Sequence, residues 1–284
     1  MTLAGRGREW PVWKRITLRR WVIMNLILIG LVIVWTPALP VPVTAMERAA
    51  YNTVQATPKE SVVLWGLAHP NPDTYYNARD AFVIFLTSLA QRNFKIIFTC
   101  FGPISPTSAE DMARRADLEG KFGYKYGQDY VIFPFLTGEE VAMAAVAADF
   151  AKAYSTDNRG NPTLSLPLMQ RVHSMKDVQL AISYYSVNTF AEMFLRQWPV
   201  KYGVPYIAQG GLVEAYFGKY VQGIGGISAA YESLVGIPGE ELIKLQAGNV
   251  ANLLTLSMIL ISVIKFQADR TKRQPATVEG SVKE

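Results

Sequence analysis

The sequence predicts a three-layer α/β domain, with a doubly wound, mainly parallel five-stranded sheet of flavodoxin-like or Rossmann-like type. An N-terminal and a C-terminal transmembrane helix flank it. Three observations lead there. Short, continuous apolar runs bounded by turn residues alternate with stretches of helical period, the pattern of strands buried on both faces and joined by crossover helices. Two longer runs, 21–43 and 247–266, are free of charge or nearly so and match the roughly twenty residues that cross a bilayer. The basic residues, finally, gather at the two chain ends.

Half of the 284 residues are apolar and 18% are charged, which is greasy for a soluble chain and suits added membrane segments. The net charge of +5 suggests nucleic-acid binding until it is located. Residues 1–20 hold Arg6, Arg8, Lys14, Arg15, Arg19 and Arg20 against Glu9. The tail from Lys265 onward adds a smaller positive excess, so the middle is slightly acidic. No basic stripe falls on the domain, and nucleic acid is not an expected partner. A single cysteine, Cys100, excludes an internal disulfide and is compatible with either side of a membrane.

The first apolar run opens with fifteen uncharged residues from Trp21 to Trp35 and continues through Pro37, Pro40 and Pro42 to Val43. Val43-Thr44-Ala45 before Met46 also looks like a signal-peptide cleavage site, but the run is long for that, and a retained anchor is the preferred reading. The second run carries Asn249, Asn252, Thr255, Ser257 and Ser262, and its alternative is a buried amphipathic helix. Lysine and arginine favour the cytoplasmic side, so both flanking clusters place both termini inside a two-pass cell-membrane protein. The expected organisation is a cytoplasmic basic segment (1–20), a first span (21–43) and a juxtamembrane helix and linker (44–60). An extracytoplasmic α/β domain (61–246), a second span (247–266) and a cytoplasmic tail (267–284) follow.

Within the domain, strands are expected at Ser61–Gly66, Phe94–Cys100, Asp129–Phe133, Asp177–Ser183 and Val204–Gln209. The first helix is expected at Asp73–Arg92. The second, capped around Ser105, should run to about Glu119–Gly120. A third, alanine-rich, opens at Thr137-Gly138-Glu139-Glu140 and runs through Ala153, and a fourth covers Asn188–Trp198. The stretch 212–246 reads as helical, broken at Gly223–Gly226 and Gly236–Gly239. Tyr154 to Lys176 forms a loop of about twenty residues, long enough to suggest function.

In such sheets ligands bind beyond the carboxyl ends of the strands. That places candidate ligand-binding residues at Gly66, His69, Ser105, Thr137, Gln209 and Gly210, and a candidate acid/base pair at His69 and Asp73. The alternative for His69 is a histidine capping the next helix or hydrogen-bonded in a turn. Metal sites need three or four ligands, and the other histidine, His173, lies in the long loop, so no metal is expected. Cys100 ends a buried strand and reads as structural. Gly223-x-Gly225-Gly226-x-Ser228 resembles a phosphate cradle in composition but follows the wrong element for a dinucleotide fingerprint. Glu139 and Glu140 would repel an anion at the Thr137 turn. No G-x-S-x-G, H-E-x-x-H, Walker or Cys-x-x-Cys motif is present, and no cofactor is expected. The many tyrosines suit either a core or an interface.

Tyr126-Gly127-Gln128-Asp129-Tyr130, Gly138-Glu139-Glu140-Val141-Ala142-Met143-Ala144-Ala145 and Gln197-Trp198-Pro199-Val200-Lys201-Tyr202-Gly203-Val204-Pro205 carry a resemblance. From Val62 to about Tyr231 the chain resembles an uncharacterised prokaryotic family of membrane-anchored α/β (Rossmann-like) proteins. The resemblance implies the fold and the anchoring, and no activity or site residues. The expected function is a non-catalytic scaffold or receptor subunit of a membrane complex, its partners the lipid bilayer and other membrane subunits or copies of itself. The alternative is a ligand-binding or hydrolytic domain with its site at the strand tips.

Overall fold

The computed structural model describes residues 41–210 and 213–273, with six isolated positions before them (Arg20, Ile23, Met24, Leu26, Ile27 and Gly30). The expected first span, and with it the question of cleavage after Ala45, lies almost wholly outside the described residues. Two compact units divide the chain, Pro40–Leu242 and the remainder.

The α/β unit begins with α1 (Ala45–Ala56), capped by Thr44, whose side chain accepts from the Glu47 amide at 3.1 Å. Then come β1 (Val62–Ala68), α2 (Pro72–Tyr76), α3 (Arg79–Ala90) and β2 (Lys95–Cys100). After them come α4 (Ser105–Arg115), β3 (Tyr130–Phe135), α5 (Glu139–Ala148) and α6 (Phe150–Ala153). The second half holds β4 (Leu180–Tyr185), α7 (Asn188–Gln197), α8 (Pro199–Tyr202), β5 (Tyr206–Gln209), β6 (Gly223–Ile224) and α9 (Ala229–Val235). All pairings are parallel, in the order β3-β2-β1-β4-β5-β6. This is the doubly wound order of Rossmann folds, so the flavodoxin-like alternative falls.

The sheet has six strands among the described residues, not five. The sixth, Gly223–Ile224, falls at the break expected at Gly223–Gly226 within the stretch otherwise read as helical. Two residues are too few to show a strand period, and the strand exists because β5 offers its edge: Ile207 pairs with Gly223 and Ala208 with Ile224. Gly223 is required there, since a Cβ would overlap the backbone of Ala50 on α1. The helix expected within 44–60 is α1, and it covers the β6 end of the sheet, burying Ala50 and Val54.

Three expected helices are shorter or broken. Asp73–Arg92 divides at Ala78, where the backbone leaves the helical region. The Ser105 helix stops at Arg115, and the alanine-rich helix breaks at Asp149, which caps α6 by accepting from the Lys152 amide. Ser105 is the first helical residue rather than the cap.

Every strand of β1, β2, β4 and β5 is buried apart from the first residue of β1 and of β2, because helices cover both faces. On one face Trp65 packs against Phe82, Phe85 and Phe98, with centroids 6.4, 5.3 and 5.5 Å away. On the other, Gly66 leaves room for Trp198 and Phe194 of the α7 layer, whose rings a Cβ would strike.

The edge strand β3 is not left open. Asn158 donates its amide to Ile132 at 2.8 Å, and Arg159 lies over the Tyr126 ring at 3.6 Å. Asp157 shapes this turn, accepting from the amides of Arg159 and Asn161 at 2.9 and 2.7 Å. The long loop therefore covers a sheet edge that would otherwise be free to pair.

The last helix, α10 (Glu240–Arg273), belongs to the second unit from Ile243 onward and starts earlier and ends later than the expected span. From Glu240 to Ile264 it is long and apolar enough to cross a membrane. At 25 residues that stretch measures about 37 Å.

Gly223→Ala should destabilise the domain by about 1–3 kcal/mol, the usual cost of overpacking against backbone that cannot yield. Urea titration of the purified protein would measure this, and an unchanged midpoint would mean that α1 does not press on β6.

Candidate functional site

The strand order reverses between β1 and β4, and the crevice at their carboxyl ends is where a Rossmann sheet takes its ligand. Here β1 runs into His69 and β4 ends on Tyr184 and Tyr185. The His69 ring stacks on Tyr184 with centroids 4.5 Å apart and meets the edges of Tyr75 and Phe82 at 5.5 and 5.3 Å. Phe82 stands edge-on to Tyr184 at 4.7 Å. The crevice is filled by the chain's own side chains.

Two hydrogen bonds hold this cluster closed. Tyr184 donates its hydroxyl to the Thr74 carbonyl at 3.0 Å, and Tyr75 donates to the Asp111 carboxylate at 2.8 Å. Asp111 also accepts from Arg115 at 2.8 Å and pairs with Arg114. The Tyr75 hydroxyl is pushed far above the usual phenol range, first by burial and then by Asp111. It remains a neutral donor.

His69 is fully buried, and neither ring nitrogen has a hydrogen-bond partner. Burial holds its pKa down to about 3, so the imidazole is neutral. Asp73 sits exposed in the first turn of α2, where Asn71 is the cap. The expected His69–Asp73 pair is therefore not made, and neither is the capping role. Only the His69 backbone has a polar partner, its amide donating to the Ser105 hydroxyl at 3.0 Å.

The other candidates have equally definite surroundings. Gln209 accepts from the Trp65 indole at 2.9 Å, while its amide nitrogen has no partner. Gly210 faces the Tyr185 ring, and Gly66 lies mid-strand under Trp198. Thr137 is exposed ahead of Gly138, a residue with φ of 110°. Ser105 is the one candidate the structure brings to His69. Cys100 is fully buried with its thiol pushed up by burial, as a structural cysteine should be.

Sequence reasoning missed Glu47. The cradle-like Gly225-Gly226-x-Ser228 is occupied by its carboxylate, which accepts from the Gly226 amide at 3.1 Å and the Ser228 hydroxyl at 2.5 Å. A Cβ at Gly225 would collide with that carboxylate. Burial raises the Glu47 pKa, an effect only partly offset by the two hydrogen bonds. The only available signal was an acid three residues after a threonine cap, which describes a helix start and says nothing of a partner 179 residues away.

A groove of about 530 Å³ runs along α4 and the start of β3 and includes Asp111, the acceptor of Tyr75. Its carboxylates are already partnered: Glu110 with Arg159 at 3.0 Å, Glu119 with the Tyr130 hydroxyl at 2.8 Å, and Asp117 with the Gly120 amide at 3.1 Å. Among the described residues no group of three or more His, Cys, Asp or Glu side chains is placed to hold a metal. Comparison of the chain with protein-family models, curated proteins and solved structures finds no match in any of the three.

Two substitutions test this geometry. His69→Phe should fold at least as well as the natural protein at neutral pH, because it removes two unpartnered polar atoms. A histidine with a depressed folded pKa gives stability above its unfolded pKa and loses it as pH falls. The natural protein should therefore fall behind His69→Phe by about 1.4 kcal/mol per pH unit below about 6.5. Melting curves from pH 7.5 to 4 would show it, and a severe loss at neutral pH would mean the ring has a partner.

Glu47→Gln should behave oppositely. A carboxyl with a raised folded pKa stabilises below its unfolded pKa and loses that contribution as pH rises. The stability advantage of the natural protein over Glu47→Gln should shrink from pH 4 to 7, and an advantage that grows would contradict a burial-dominated shift.

Proposed function

We propose that this chain is a membrane-anchored scaffold or receptor subunit of a membrane protein complex, with an α/β domain that does no turnover chemistry. The packing of the β1/β4 crevice carries this reading. A Rossmann sheet that served a cofactor or substrate would keep that crevice open, whereas His69, Tyr75, Phe82 and Tyr184 occupy it.

The anchoring is supported by the surface of α10. Leu253, Leu256, Ile259, Leu260, Val263 and Ile264 are all exposed, and no soluble helix gains from presenting so much apolar surface. Its hydroxyls are satisfied within the helix. Thr255, Ser257 and Ser262 each donate to the carbonyl four residues back at 2.7–2.8 Å, which removes donors that hydrocarbon cannot solvate. The finer topology rests on the two basic clusters at the chain ends: two spans, both termini cytoplasmic and the domain outside.

One feature favours the competing reading of a ligand-binding or hydrolytic domain, the unpartnered amide nitrogen of fully buried Gln209 at the tip of β5. Thermal-shift screening against metals, nucleotides and small anions addresses it.

Extraction from native membranes in mild detergent after chemical crosslinking should yield the chain in a species larger than the monomer. A solitary monomer at every concentration would defeat the subunit reading. Stabilisation by one ligand class would favour the competing one.

A further inference from the structure

The turn after β6 is shaped around a carboxylate that the chain supplies itself. Gly225 and Gly226 both have positive φ, 120° and 92°, and the Gly225 amide donates to the Ala208 carbonyl at 2.8 Å. That leaves the Gly226 amide and the Ser228 hydroxyl, and both donate to Glu47. The helix α9, which Ser228 caps, lends no amide to the carboxylate. A third donor lies against the same turn. The side-chain nitrogen of Gln209 is 3.3 Å from where a Cβ of Gly226 would stand, is shut off from solvent and has no acceptor. It cannot exchange places with its own amide oxygen, because the Trp65 indole holds that oxygen at 2.9 Å. Glu47 therefore leaves one buried donor of this turn unused.

The hold of Glu47 on the turn is local. In the first turn of α1, Thr44, Ala45 and Arg48 are exposed, and Met46 packs partly buried on the core. Ala50 and Val54, about one and two helical turns further on, are fully buried and keep the rest of α1 seated. Unwinding of the first turn alone is therefore enough to withdraw the carboxylate. Among the described residues no lysine or arginine pairs with Glu47. Without a cation the turn suits a single negative charge and not a phosphate dianion, which calls for arginine or lysine.

We propose that the 225–228 turn is a carboxylate-binding site and that Glu47 is its tethered occupant. A free carboxylate enters when the first turn of α1 unwinds, and it accepts from the Gly226 amide and the Ser228 hydroxyl in place of Glu47. An oxygen on the carbon next to that carboxylate accepts from the spare nitrogen of Gln209. The ligand class is thus a small 2-hydroxy or 2-oxo acid. The site lies at the tips of β5 and β6, apart from the packed β1/β4 crevice, and does not depend on the scaffold reading. A tethered occupant competes at an effective concentration of roughly millimolar, so free ligand displaces it only well above its intrinsic dissociation constant.

The test uses the purified full-length protein at neutral pH, with sodium chloride at matched concentration as the control. Glu47→Ala empties the turn and should gain thermal stability from acetate in a saturable way. Glycolate should do the same at severalfold lower concentration, because its hydroxyl can accept from Gln209. Glu47→Gln keeps an oxygen in the turn and should respond to neither. In the natural protein, glycolate far above its Glu47→Ala dissociation constant should speed hydrogen exchange severalfold in a peptide spanning residues 44–50 and leave exchange in β1 and β4 unchanged. If Glu47→Ala does not fold in buffer, refolding from urea in glycolate but not in chloride supports the site, and no refolding in either overturns it. A folded Glu47→Ala without a saturable response would also overturn it and make Glu47 a structural latch only. A response of Glu47→Gln equal to that of Glu47→Ala would place the binding elsewhere. Equal responses to acetate and glycolate, or a larger one to phosphate, would overturn the ligand class. Unchanged exchange in the natural protein would overturn the displacement of Glu47.

Discussion

Trp65 is the point on which this domain depends. It sits at the centre of β1, the strand that pairs with both halves of the sheet, and its ring meets Phe82, Phe85 and Phe98. Its indole donates to Gln209 on β5, across the width of β4, so one side chain links both halves of the sheet to the helix layer above. From there the aromatic contacts continue without a break. Phe85 meets Tyr231 at 5.0 Å, Tyr231 meets Tyr51 of α1 at 6.2 Å, and Phe82 leads to His69 and Tyr184. Fully buried aromatics of this size dominate core energetics, and their edge-to-face geometry fixes helix positions as well as adding area.

That packing leaves the His69 ring without a polar partner in the crevice. A histidine without a polar partner, held neutral by burial, cannot act as a base toward anything it does not touch. The cluster costs two unsatisfied ring nitrogens and a spare amide proton pair on Gln209. Such groups are tolerated when the surrounding rings gain more by close contact than the imidazole loses in hydration. The glycines that resemble an anion cradle follow the same logic: the anion in them is the chain's own Glu47, which fastens α1 to α9. Aromatic rings thus fill the β1/β4 crevice, and the Glu47 carboxylate fills the glycines after β6.

Much of the architecture was legible in residues 61–210. The runs Val62–Gly66, Lys95–Cys100 and Tyr130–Phe133 are strands because their apolar residues are continuous, which only burial on both faces tolerates in a sheet. The alternation with helices then implied parallel pairing. The candidate site was legible as a list of tips but not as a set of contacts. His69 and Asp73 are four apart in sequence, yet α2 carries Asp73 outward while three aromatics enclose the ring. The length of the 154–176 loop suggested a function, and the structure shows that its Asp157 turn covers the edge of β3.

Local sequence determined what period and burial can determine alone: the α/β class, five of the six strands, and an apolar segment near the C-terminus long enough to cross a membrane. Each depends on residues within about one element of one another. Tertiary structure decided the strand order, the sixth strand, the closure of the crevice and the seat of Glu47. These depend on partners far apart in the chain. Gly223 becomes a strand only because β5 has a free edge, and Glu47 finds its donors only once β6 has been laid down. No period in the sequence records such meetings, because they are set by which surfaces the folded sheet brings within a few ångströms.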